Sequence, residues 1–169
     1  MTEALGSSWV KVASSDDLGQ VHKLAERIFP VTYQGILSAD LIEYMMELFY
    51  KPDALLKQQD AGQCFLILYV EGQPAGYASY SRLSTEEIFK LNKLYLDIHL
   101  QGKGFGKFLL SFVIDRIRTQ GGRSLRLNVY RGNKAVAFYQ KMGFVILYEE
   151  LLDIGNGHFM DDYVIGIDL

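Results

Sequence analysis

Hydrophobic and polar positions change period several times along the chain, and each change marks a new element. Trp9-Val10-Lys11-Val12 alternates with period two, as a short strand does. Ser14-Ser15-Asp16-Asp17 then offers capping side chains, and Leu18, Val21, Leu24, Ala25 and Ile28 follow at helical spacing up to Pro30, which is expected to end that helix. Ser38-Ala39-Asp40 opens a second helical stretch with Leu41, Ile42, Met45 and Leu48 on one face. Tyr33, Tyr44, Phe49 and Tyr50 make this region aromatic, suited to lie against a sheet or over a substrate pocket. From Gln63 the pattern turns to strands: Cys64–Val70, a Glu71-Gly72 turn, residues 75–83, and Ile88–Leu96 after the polar Ser84-Thr85-Glu86-Glu87. Such short connections predict an antiparallel meander. A long helix is predicted over residues 104–120, with Phe105, Leu109, Phe112, Val113 and Ile117 as its apolar stripe, Lys107, Ser111, Asp115 and Arg118 opposite, and Gly121-Gly122 as its stop. A strand over 124–129, a helix over 133–142 closed by Gly143, and strands over 144–152 and 158–167 complete the chain. No repeat or linker divides it, which predicts one domain over residues 1–169.

Composition agrees. A chain of 169 residues, 49% hydrophobic and 22% charged with three prolines, reads as one ordinary globular domain, which excludes disorder, collagen-like repeats and a disulfide scaffold. A chain this long hides roughly 70% of the surface its unfolded form exposes. The lone Cys64 lies in the longest apolar run, where a thiol usually acts as a small buried hydrophobe. That run is too short to span a bilayer, and the start of the chain, with Glu3 and no basic flank, lacks a signal-peptide pattern, so a reducing cytoplasm is the expectation. The net charge of −3 is unevenly spread: −5 over residues 1–81, +8 over 82–141 and −6 over 142–169. A basic middle between acidic flanks suits an anionic ligand held centrally with carboxylates nearby, whereas a nucleic-acid binder would be basic overall. Chance surface charge would give the same counts.

The segment Gln101-Gly102-Lys103-Gly104-Phe105-Gly106-Lys107 joins a strand to an amphipathic helix, so its N–H groups can converge on an anion at the positive end of the helix dipole. It matches neither familiar phosphate motif: Lys107 stands where a dinucleotide fingerprint needs glycine, and Phe108 where a nucleotide P-loop needs a hydroxyl. His22, His99 and His158 are scattered with no cysteine cluster, so no metal is expected, and no Gly-x-Ser-x-Gly elbow is present.

The same segment has the Gln/Arg-x-x-Gly-x-Gly/Ala form of the GNAT superfamily of N-acetyltransferases, with Gln101, Gly104 and Gly106 at its defined positions. Upstream, Lys93-Leu94-Tyr95-Leu96-Asp97 resembles that family's fourth strand. Downstream, Asn133-x-x-Ala-x-x-Phe-Tyr139-x-x-x-Gly143-Phe144 resembles its second signature. The likeness covers residues 63–150 in motif order and spacing. It implies an α/β (α+β) fold: a mixed, largely antiparallel sheet of seven strands flanked by helices, with the fourth and fifth strands splayed. It also implies acetyl-CoA as cosubstrate and no metal. By this resemblance Leu94, Tyr95 and Leu96 hold the pantetheine, residues 101–106 hold the diphosphate with Lys103 and Lys107 adding charge, and Asn133 bonds the cofactor near its thioester. Asn133 equally suits the N-cap of the next helix. Tyr139 resembles the general acid that protonates the leaving thiolate, although Ala135, Val136, Phe138, Tyr139 and Met142 also read as the apolar face of a short helix.

In some protein-acetylating members a fourth-strand glutamate is the base. Counting back from Gln101 puts Lys90 there, which favours a water-mediated route or uptake of the neutral amine. Residues 29–46 resemble the helical insert of bacterial spermidine/spermine N-acetyltransferases, so the implied acceptor is a small-molecule primary amine, in particular a polyamine. Tyr33 and Tyr44, with Glu149, Glu150, Asp153, Asp161 and Asp162, offer the aromatic faces and carboxylates a polycation needs, unless those carboxylates only solvate a hairpin. Acetylation of a protein or peptide, and a non-catalytic CoA sensor, are the alternatives. Neither nucleic acid nor a membrane is expected as partner, and homodimerisation is left open.

Overall fold

A computed structural model describes residues 5–83 and 87–169. Its elements are β1 (Ser8–Val12), α1 (Leu18–Tyr33), α2 (Ala39–Tyr50), α3 (Pro52–Asp60), β2 (Cys64–Val70), β3 (Gln73–Arg82), β4 (Ile88–Leu96), α4 (Phe105–Thr119), β5 (Ser124–Tyr130), α5 (Ala135–Lys141), β6 (Val145–Gly155) and β7 (His158–Asp168). Short 3-10 turns at Ser15–Asp17 and Ile98–Leu100 precede α1 and the glycine segment. The seven strands form one sheet in the order β1-β2-β3-β4-β5-β7-β6, in which β4 and β5 are parallel and every other pair is antiparallel. This is the mixed, largely antiparallel sheet expected from the sequence. Residues 84–86 of the polar turn lie outside the described residues.

Both faces of the sheet are covered, which explains the unbroken apolar run of β2. Leu66 and Leu68 point into a core under α4 and α5, while Phe65 and Ile67 point into a second core under α1, α2 and α3. Two expectations need correction. Pro30 does not end the first helix, which runs on to Tyr33. A helix-interior proline costs about 3 kcal/mol, but burying one large apolar side chain contributes about 1.5–3 kcal/mol, and both Phe29 and Tyr33 are buried around it. The second helical stretch is α2 as expected, and a helix that the pattern did not predict, α3, follows it, because Pro52 keeps Lys51 extended (φ −59°, ψ 147°) and then sits in the first turn of α3. Ser38 caps α2 as expected, accepting a hydrogen bond from the Leu41 N–H. Leu48 is exposed rather than in the core.

The central strand β4 carries one irregularity. Tyr80 faces Leu91 but Ser79 faces Lys93, so Asn92 is an extra residue on β4, a β-bulge. The bulge shifts the alternation: Phe89 and Leu91 face the α4 side, and beyond it Leu94 and Leu96 do so while Lys93 and Tyr95 face α1–α3.

Candidate active site

β4 and β5 pair only at Ile88, Lys90 and the residue between them, against Ser124, Leu125 and Arg126. From Leu91 onward they diverge, leaving a cleft lined by residues 91–95 of β4 and 127–129 of β5, together with Tyr33, Asn133, Ala135 and Tyr139. Along this stretch β4 has a strand partner only on its β3 side. At its far end the chain is clamped to α1 by Arg27, whose guanidinium donates to both Asp97 carboxylate oxygens at 2.9 and 2.8 Å and to the Pro74 carbonyl at 3.0 Å. The glycine segment starts four residues later.

Gly102 and Gly104 take left-handed φ angles of 75° and 89°, which turn the backbone through the segment before α4 begins. The amides of residues 102–107 have no backbone acceptor among the described residues, and they lie at the N-terminus of a 15-residue helix. Gly106 serves packing instead: a Cβ there would meet the Phe138 ring at 3.3 Å, so α4 approaches α5 closely. Lys103 and Lys107 are exposed beside the segment, and Gln101 is exposed before it. Phe105 packs against the α4-side core. His99 is exposed on the turn before it.

Tyr139 is 5% exposed, its ring set edge-on against Phe138 and Phe144. Burial pushes its phenol well above the ordinary range, so it stays protonated, and its hydroxyl makes no hydrogen bond among the described residues. The core reading of Tyr139 holds, and the residue also lines the cleft. Asn133 accepts a hydrogen bond from the Ala135 N–H at 2.9 Å in an Asx turn leading into α5, one residue before the helix's N-cap, which is Lys134 rather than Asn133. Leu94 and Tyr95 line the cleft, whereas Leu96 is buried beneath α4.

The residues expected to face the acceptor separate. Tyr33 lines the cleft, with its hydroxyl 3.0 Å from that of Tyr95. Tyr44 donates to the Ile154 carbonyl at 2.6 Å and packs on His158, tying α2 to the β6–β7 hairpin. Glu149 pairs with Arg131, which also holds Asp161 and stacks over Tyr163. Glu150 points the other way and accepts a 2.6 Å hydrogen bond from Asn128, a cleft residue. Sequence reasoning missed Asn128 and Lys93. The Lys93 ammonium is buried between Gln58, Gln63, Tyr50 and Phe65, and burial, helped by Lys90, holds its pKa down to about 7. Its signal in the sequence is the double polar step Asn92-Lys93 inside an otherwise alternating strand, the mark of the bulge.

Residues 31–158 match the model of the acetyltransferase (GNAT) domain. The chain belongs to the GNAT family. An uncharacterized N-acetyltransferase of Methanocaldococcus jannaschii is 28% identical over 96 residues, 53% of this chain and 42% of that protein, so the match spans less than half of that relative. A protein named probable spermine N(1)-acetyltransferase, from Bacillus subtilis subsp. natto, is 29% identical over 117 residues, 62% of this chain and 77% of its own. Among solved structures, the PaiA N-acetyltransferase of Thermoplasma acidophilum in complex with coenzyme A has the same fold, with a TM-score of 0.80 at 24% identity over 96% of this chain and 99% of that one. In this GNAT domain the glycine segment and the parted strands lie inside the matched region. No helix of the described residues is long and apolar enough to cross a membrane, and none of their His, Cys, Asp and Glu side chains group as metal ligands.

Proposed function

We propose that this GNAT domain transfers the acetyl group of acetyl-CoA to a primary amine by direct attack in a ternary complex, and that the acceptor is a polyamine such as spermidine or spermine. The observation that carries the reading is the gap between β4 and β5, which exposes one edge of β4 and has Tyr139 in its wall. An extended pantetheine arm can pair with such an edge through the main chain at Leu94 and Leu96, as an added strand would. The amides of residues 102–107 suit the diphosphate, with Lys103 and Lys107 contributing charge. Asn133 commits its oxygen to the α5 turn and turns its amide toward the Tyr33 hydroxyl, which leaves one amide N–H for the cofactor.

The chemistry then asks little of the protein. A neutral amine attacks the thioester carbonyl, the carbon–sulfur bond breaks, and the departing thiolate takes the Tyr139 proton. A phenol held neutral by burial is in the right state to donate. The polyamine choice draws on the name of the Bacillus relative and on the carboxylates of β6 and β7. We assign the whole described chain to one such domain, working in the cytoplasm. The test is thiol release from acetyl-CoA over a panel of polyamines, monoamines and an amino-terminal peptide at several salt concentrations. Polyamines are expected to be preferred, with a KM that rises with salt as screening shortens the Debye length, about 10 Å at 0.1 M. Turnover of the peptide alone would make this a protein acetyltransferase, and CoA binding without thiol release from any amine would make it a sensor.

A further inference from the structure

Alternation sorts the acidic hairpin into two sets. Glu149 and Asp161 share one face with Arg131, while Glu150 and Asp162 stand directly opposite each other on the other face. There they meet Asn128 of β5, whose Nδ2 donates to Glu150 at 2.6 Å and to Asp162 at 3.3 Å. Asn128 lines the cleft, with Tyr33 and Tyr139. Asp162 is only 5% exposed, and its Oδ1 is buried with no hydrogen-bond partner. A buried carboxylate oxygen without a donor is rare in folded proteins because its desolvation goes uncompensated. Lys90 on β4 is near, yet it forms no ion pair with Asp162 among the described residues. The buried Oδ1 therefore lacks a hydrogen-bond donor. By the resemblance above, Lys90 also stands where some protein-acetylating members of the family carry a glutamate base.

We propose that Glu150 and Asp162, bridged by Asn128, form the acceptor-amine subsite, holding the amine as an ammonium ion and taking one of its protons as it attacks. The inference rests on the acetyl-transfer reading of the cleft. Two neighbouring carboxylates in a half-buried corner resist being ionised together, and an incoming ammonium relieves them. One N–H proton passes to the pair, giving a neutral amine and one protonated carboxyl. The amine nitrogen bonds to the thioester carbon and the carbon–sulfur bond breaks. The sulfur takes the Tyr139 proton, the second N–H proton returns to the phenolate, and the carboxyl pair gives up its proton to solvent when products leave. Burial, with Glu150 and Asp161 adding, raises the Asp162 carboxyl above its ordinary value against the pull of Asn128 and Lys90, which makes it a stronger base. The groups that act on it are Lys90 of β4, Asn128 of β5, Glu150 of β6, Tyr33 of α1 and, from the opposite face of its own strand, Asp161.

The test compares Asp162→Asn with wild type on two acceptors, the best alkylamine of the panel and its fluorinated counterpart, which is already neutral in the assay. Loss of a positioned base is expected to lower kcat/KM about 100-fold for the alkylamine. The fluorinated amine should lose far less, with CoA affinity unchanged by calorimetry. Glu150→Gln carries little folding burden and should show the same selective loss, so it decides the matter if Asp162→Asn fails to fold. Equal losses on both amines, or none, overturn the subsite while leaving acetyl transfer intact. A wild type that releases no thiol with any amine overturns both.

Discussion

The two walls of the cleft are made in different ways. On the side of α4 and α5 the candidate ligand groups come from two contiguous segments, residues 101–107 beside the cleft and 133–144 in its lining, and are mainly backbone amides and a single phenol. On the opposite side the candidate groups are all side chains, one from each of four elements: Tyr33 and Asn128, which line the cleft, and Glu150 and Asp162, which the Asn128 amide reaches. A site made of backbone in one turn is fixed by local chain geometry. A site made of side chains from separate strands is fixed only by register, so a one-residue slip exchanges its carboxylates for those on the outer face.

The comparison can be broken most sharply where the walls meet. Tyr139→Phe is expected to lower kcat about 100-fold with little change in melting temperature, because the lost hydroxyl makes no hydrogen bond among the described residues; stopped-flow thiol release and calorimetry measure the two effects. On the backbone wall, Gly104→Asp sets a carboxylate on a left-handed residue beside the free amides and should weaken CoA binding about 30-fold, some 2 kcal/mol, as read by titration calorimetry.

Two buried ionisable groups sharpen it through stability. Lys93 is held down to about 7 when folded, so between that pH and its ordinary 10.5 the unfolded chain binds the extra proton and stability rises with pH. Asp162 is shifted up, so stability falls as pH climbs from the ordinary carboxylate range through its folded value. Denaturant melts should lose the alkaline rise in Lys93→Met and the acid-side fall in Asp162→Asn, which should melt at or above wild type at neutral pH. The smallest effect belongs to the outer face. Glu149→Gln should change a polyamine KM by less than about twofold, because its carboxylate is exposed and already engaged by Arg131.

Much of the frame was legible because its signals are local. The bounds of β2 and β4 follow from their apolar runs and turn residues, and the start of α4 from the glycines before it. Helix α3 was not, because its start is marked only by Pro52 after an aromatic end to α2. The run of α1 through Pro30 depended on Phe29 and Tyr33 packing against distant Tyr95. Counting charges found the acidic hairpin, but which carboxylates turn inward depends on the pairing of Glu150 with Asp162 and of Asp162 with Tyr130.

The division of labour between the walls is tested most directly by amide NMR of the wild-type protein during stepwise titration, first with CoA and then with spermidine. CoA is expected to move the resonances of residues 91–96 and 102–107, and spermidine those around Asn128, Glu150 and Asp162. Spermidine shifts centred instead on Arg131, Glu149 and Asp161, or CoA shifts that leave the glycine segment unmoved, would contradict it.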